Sequence, residues 1–135
     1  MEVYTDLTFT EDQKMEHINK EEFNNWIAEQ RIVDSWNKKP ILGANVNVGW
    51  LPLVKTLIEE LIEAGWNREV AQIKEKFGTL RFSIDDATAA QYEIIRKYEN
   101  ISGETCEVCG NPGVIRGGSW LKCLCDEHSE RERRI

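Results

Sequence analysis

No stretch of about 18 consecutive apolar residues occurs in the chain, which excludes a simple membrane-spanning helix. The start, Met1-Glu-Val-Tyr-Thr-Asp6, lacks the basic segment and apolar run of an export signal, so a cytoplasmic protein is expected. Internal repeats and low-complexity tracts are absent, and the only charge-dense run is Asp126 to Arg134. Cations are in deficit: 17 Lys and Arg against 24 Asp and Glu give a formal net charge of -7. That balance argues against broad, nonspecific affinity for nucleic acid, which rests on surplus Lys and Arg meeting phosphates. An acidic surface serves solubility, and the sharper alternative is a docking surface for a basic partner. Neither a nucleophile elbow nor a phosphate-binding loop is found. Cysteine is missing until Cys106, and all four cysteines then fall between Cys106 and Cys125.

What is present suffices for a core. Hydrophobic residues make up 41% of 135 residues, five of them Trp, a size that fits one compact domain with a small appended module. Thr10-Glu-Asp-Gln13 has the capping-box pattern, predicting a helix near 11–19. Phe23, Trp26, Ile27, Val33 and Trp36 recur at helical spacing, predicting a second over 21–37, before Pro40 forbids continuation. Residues 40–49 show no sustained period and are read as a loop.

From Trp50 the pattern strengthens. Pro52 suits a first helical turn, and Leu51, Val54, Leu57, Ile58, Leu61 and Ile62 form one apolar stripe ending at Gly65, so a helix is predicted over 51–64. Lys55, Glu59, Glu60 and Glu63 fall off that stripe and read as a solvated face. Leu80, Phe82 and Ile84 alternate with Thr79, Arg81 and Ser83 beyond Phe77-Gly78, predicting a β-hairpin near 69–84 with one buried face. Asp85 or Asp86 is expected to cap a helix over 86–101 carrying Ala87, Ala90, Ile94, Tyr98 and Ile101 on one face. The expected class is α+β: a helical N-terminal layer, a central hairpin flanked by helices, and a C-terminal knuckle, hairpin and helix. The expected division is residues 1–103 and 104–135.

Cys106-Glu-Val-Cys109-Gly110 spaces two thiolates on one tight turn, the spacing of a zinc half-site, and Gly110 lets the chain turn away. Cys125-Asp-Glu-His128 supplies the second half if Cys125 ends a strand and a helix begins at Asp126, placing both ligands within one turn. Cys123 lies two residues from Cys125 and would share its side of a strand. Cys125 with His128 is preferred because C-x-x-C pairs repeatedly with C-x-x-[CH] in closed zinc sites; a four-thiolate set using Cys123 is the alternative. An even cysteine count permits disulfides, but a reducing compartment disfavours them. Four protein ligands leave no open position, so the zinc is expected to be structural, stapling a module with few apolar residues. Glu107, Asp126 and Glu127 flank the ligands, but the order and types differ from the deaminase signature of His-x-Glu followed by Cys-x-x-Cys. Knuckle, hairpin and helix together resemble the treble-clef and zinc-ribbon-like structural zinc sites over about residues 105–135.

Two surfaces invite a partner. Lys74, Lys76 and Arg81 are expected on the hairpin's outward side near Phe77, a pattern suited to single-stranded nucleic acid but also ordinary for an exposed hairpin. Arg116, Lys122 and the terminal arginines form a second basic cluster, diluted by Glu130 and Glu132. Trp36, Trp50 and Trp66 are read as core residues. Trp120, after Gly117-Gly118-Ser119, either packs over the thiolates or is displayed to a partner, and His17 is read as a surface residue.

The string Gln72-Ile-Lys-Glu-Lys-Phe-Gly-Thr-Leu-Arg-Phe82, followed by Cys106-Glu-Val-Cys109-Gly110-Asn-Pro-Gly113, Trp120 and Cys125-Asp-Glu-His128, resembles a group of small bacteriophage and prophage proteins. The resemblance covers roughly Trp50 to the C-terminus and implies an origin and a zinc site rather than a mechanism; position 123 is atypical there as a cysteine. The expected function is therefore a non-enzymatic, zinc-stapled protein that binds a host or phage protein in the bacterial cytoplasm. A zinc-containing nucleic-acid-binding regulator and a small metal-dependent enzyme are the alternatives.

Overall fold

The computed structural model describes residues 17–117 and 120–133. The fold is α+β, with the elements α1 (Lys20–Glu29), β1 (Val33–Asp34), a 3-10 turn (Val48–Trp50), α2 (Leu51–Glu63), β2 (Glu69–Val70), β3 (Gln72–Lys76), β4 (Thr79–Ser83), α3 (Ala89–Ser102), β5 (Val114–Arg116), β6 (Lys122–Leu124) and α4 (Asp126–Arg133). The helix expected near 11–19 lies largely outside the described residues; its last positions, 17–19, are not helical, and His17 is exposed. Among the described residues no helix is long and apolar enough to cross a membrane.

α1 begins where Asn19 caps it reciprocally with Glu22 (2.7 and 3.1 Å). It ends far short of the expected position 37. Arg31 turns into the left-handed region (φ 58), Ile32 drops into the core, and Val33 and Asp34 pair in parallel with Glu69 and Val70. Long-range strand pairing overrides an apolar spacing that only mimics a helix there. Trp36, expected in the core, is 90% exposed in the turn that follows. That turn is held by the Asp34 carboxylate, whose Oδ1 accepts from the backbone amides of Trp36 (2.8 Å) and Asn37 (3.1 Å). Of the loop expected over 40–49, residues 40–47 are irregular and touch the sheets through single bridges at Pro40 and Asn45, while Val48 and Gly49 enter the 3-10 turn.

α2 is the central element. Leu51, Leu53, Val54, Leu57, Ile58 and Leu61 are all buried, and Pro52 sits in the first turn. Gly65 (φ +83) ends the helix as expected: its N–H bonds Ile62 O (3.1 Å), and Trp66 N–H reaches back to Leu61 O (3.0 Å). Trp50 and Trp66 are buried as expected, with Trp66 edge-on to Phe82 at 6.0 Å.

The central hairpin is narrower than 69–84, because Glu69 and Val70 belong to the separate parallel pair. Its two-residue turn, Phe77-Gly78, has both φ positive (56 and 87), the turn type that matches strand twist. Leu80 and Phe82 face inward and are buried; Lys74 and Arg81 pair directly opposite each other on the other face. Two β4 amides left without a β3 partner are taken up by α3, Leu80 N by Ser102 Oγ (2.7 Å) and Phe82 N by Glu99 Oε2 (3.0 Å). The open sheet edge is thus closed by side chains.

α3 starts later than 86 because Thr88, not Asp85 or Asp86, is the cap, reciprocally bonded with Gln91 (3.1 Å each way). Its buried face is Gln91, Ile95, Tyr98 and Ser102, rotated from the expected stripe, while Ile94 and Ile101 are partly buried. Glu60 is not merely solvated: it accepts from Lys97 Nζ (3.0 Å) and from the Tyr98 hydroxyl. Lys55 and Glu59 do form the expected exposed pair, at 3.7 Å.

Burial, then Glu60, drives the Tyr98 hydroxyl well above the ordinary tyrosine range. A group raised on folding stabilises fully below its unfolded pKa of about 10, and that contribution fades as pH rises further. Tyr98→Phe should therefore lose about 1.5–3 kcal/mol at neutral pH, from a hydrogen bond to a charged acceptor. The gap from wild type in urea unfolding should narrow above about pH 10; a gap that widens there would contradict this assignment.

Candidate metal centre

The first half-site is the turn after α3. Cys106 N–H bonds Asn111 O (2.7 Å), Gly110 N–H bonds Cys106 O (2.8 Å), and Asn111 N–H points at Cys109 Sγ (3.4 Å). Gly110 adopts φ +85, a conformation that L side chains rarely take, so the sharp turn between the thiols and the next strand needs glycine.

The second half-site is the junction of β6 and α4. β6 stops at Leu124, and Cys125 O accepts from Ser129 N (2.9 Å), the first bond of α4. Leaving the strand at this point breaks the alternation that would place Cys123 and Cys125 on one side. Cys123 is fully buried in the main core, whereas Cys125 joins Cys106 and Leu124 in a second cluster. One turn on, His128 Nδ1 lies 3.2 Å from Cys125 Sγ and 3.7 Å from Cys106 Sγ. Cys109 and Cys125 sulfurs are 3.8 Å apart, and all four thiols are free.

Cys106, Cys109, Cys125 and His128 thus converge, with one ligand atom each, all within 4.8 Å of one another. Such a set of three thiols and an imidazole can hold a metal ion. Burial tends to raise the Cys125 thiol, but the His128 amide and ring, with Cys106 and Cys109, bring it down to about 7. Cys109 is pushed up to about 12, burial first. A bound cation must therefore displace thiol protons, which makes occupancy weaken toward acid pH. Cys123 is pushed up to about 11 by burial and keeps the character of a core thiol.

The half-sites are tied to the rest of the chain. Gly49 N–H bonds Glu107 O (2.7 Å), Glu107 N–H bonds Cys123 O (3.0 Å), Asn47 Nδ2 approaches Glu107 Oε2 (3.4 Å), and Trp50 Nε1 bonds Thr105 O (2.8 Å). Asn47, Gly49 and Trp50 are thus supports of the site that sequence spacing does not reveal, since they lie far from the cysteines along the chain. A Cβ at position 49 would sit 2.5 Å from Glu107 O and 2.6 Å from Cys106 O, both backbone atoms. Gly49→Ala should cost about 1–3 kcal/mol through forced backbone movement. It should also weaken metal binding in chelator competition; unchanged stability and affinity would show that this approach is loose.

The remaining surface residues fall in different places. Arg116 braces the junction, with Nε to Leu124 O (3.0 Å) and Nη2 to Asp126 Oδ1 (2.8 Å). Trp120 is 73% exposed, which disfavours the reading that packs it over the thiolates. Lys74, Lys76 and Arg81 share the outward face of the hairpin. Comparison of the chain with protein-family models, with curated proteins and with solved structures finds no match.

Proposed function

We propose that the metal is zinc, held structurally, and that the chain is a non-enzymatic interaction protein of bacteriophage or prophage origin. It would act in the bacterial cytoplasm by binding a host or phage protein. The observation that carries the zinc reading is the spacing of the ligand atoms. Tetrahedral zinc, with Zn–S near 2.3 Å and Zn–N near 2.0 Å, sets S···S at about 3.8 Å and S···N at about 3.5 Å. The chain has 3.8 Å for Cys109 to Cys125 and 3.2 and 3.7 Å from His128 Nδ1 to the Cys125 and Cys106 sulfurs, with all four ligand atoms inside 4.8 Å of one another. Four protein ligands fill such a zinc, leaving no position for a substrate or reactive water, which supports a structural rather than catalytic role. A treble-clef-like arrangement fits the order of turn, β5–β6 hairpin and α4.

The binding role is supported by two tryptophans displayed to solvent, Trp36 at 90% and Trp120 at 73% exposure. Tryptophan is the residue most enriched among interface anchors, and neither indole is buried in this fold. The origin rests on the likeness of the hairpin and cysteine strings to phage and prophage proteins. Host lysate passed over immobilised wild-type protein should yield a partner, and Trp36→Ala with Trp120→Ala should lose it. A partner retained undiminished by the double variant would overturn the role given to these tryptophans.

A further inference from the structure

A different surface carries an independent inference, on the outward face of the central hairpin. We propose that this face binds single-stranded nucleic acid, Lys74, Lys76 and Arg81 contacting phosphates while Phe77 stacks on a base. The register places Lys74 directly opposite Arg81, with Lys76 next but one along β3, and the turn carries Phe77 at its tip. Residues two apart on a strand stand about 7 Å apart, a step comparable to that between neighbouring phosphates of an extended strand. Among the described residues none of the three cations forms an ion pair with a carboxylate. The rest of this face is Gln72, Thr79 and Ser83, neutral groups able to hydrogen-bond.

Phe77 is the more telling feature. It is 62% exposed, with Lys76 Nζ 5.5 Å from its ring centroid, and its backbone is left-handed at φ 56. That position of a two-residue turn favours Asn, Asp or Gly, and a bulky side chain there is costly without helping the core. Beside the turn, Ile115 of β5 lies against Gly78 and is itself 43% exposed. An exposed ring beside cations suits an unstacked base; a duplex keeps its bases stacked on one another. Because the whole chain carries -7, the attraction is local to this face, so binding needs low salt.

The test is fluorescence anisotropy of labelled oligothymidylate with the full chain. Three phosphate contacts at about 0.7 counterion each predict a log–log salt slope near -2, or about a 20-fold loss between about 50 and 200 mM salt. Lys74→Glu with Arg81→Glu should abolish binding, while Lys20→Glu on α1 should leave it within about twofold. Phe77→Asn suits the turn better, so it should keep or raise thermal stability, yet weaken binding about 5- to 100-fold by loss of stacking. Absence of binding at about 50 mM salt would overturn the proposal. So would affinity unchanged in the folded Phe77→Asn and charge-reversed variants, or tighter binding to a duplex than to the single strand.

Discussion

Serine in place of Cys106, Cys109 or Cys125 is expected to abolish stoichiometric zinc binding, whereas Cys123→Ser keeps it. The first three thiols converge with His128 within 4.8 Å, while Cys123 is buried in the main core. Structural zinc contributes about 10–16 kcal/mol of apparent binding energy in small peptides at neutral pH, and that energy is available only to the folded arrangement. Removing one ligand leaves two thiols and an imidazole that cannot close a tetrahedron, so most of it is lost. The hydrogen bonds from Gly49 and Trp50 to the metal loop spread the damage into α2, and cooperative unfolding should shift well below that of wild type. Cys123→Ser should cost only about 1–3 kcal/mol, for burying a hydroxyl in an apolar place. Elemental analysis and thermal unfolding of the four variants separate these outcomes. Zinc lost from Cys123→Ser but retained by Cys106→Ser would overturn the ligand set.

Trp50→Ala should be the most damaging change away from the ligands. Trp50 is fully buried, precedes α2, and donates its indole N–H to Thr105 O at 2.8 Å. Its loss removes an aromatic from the packed junction between α2 and the metal loop, with an expected cost of about 3–5 kcal/mol. Trp50→Phe fills much of the space but leaves Thr105 O without its donor, and should cost about 1–3 kcal/mol. Zinc affinity should fall in the same order, alanine more than phenylalanine, since the bond holds the residue before Cys106. A stable Trp50→Ala chain with wild-type zinc affinity would show that core and metal loop fold independently.

The candidate site was legible because its signal is local. A C-x-x-C-G turn and a C-x-x-H step each specify a small backbone unit, and only their meeting requires the fold. Cys123 was separable by spacing, but its burial is explained only by β6 ending at Leu124, which alternation along a longer strand would not give. α2 was legible for a related reason: its apolar stripe, Pro52 and Gly65 all agree. The region after α1 was not. Val33 and Trp36 keep helical spacing from Trp26, and nothing nearby announces that Glu69 and Val70, far along the chain, will pair with Val33 and Asp34. Trp36 follows from the same contest, since a residue at helical spacing lies instead in an exposed turn. The cap of α3 illustrates a finer ambiguity: Asp85, Asp86 and Thr88 can all cap, and only Thr88 has Gln91 three residues on to complete the reciprocal pair. Glu99 and Ser102, which close the β4 edge, have no signature in one sequence because their partners are backbone amides.

X-ray absorption at the zinc edge of the purified full chain bears most directly on the central claim. Three sulfur scatterers at about 2.3 Å and one nitrogen at about 2.0 Å, with no exchangeable oxygen, are predicted for Cys106, Cys109, Cys125 and His128. Four sulfurs would bring Cys123 into the site, and an oxygen scatterer would open the metal to water; either result would contradict the closed structural centre.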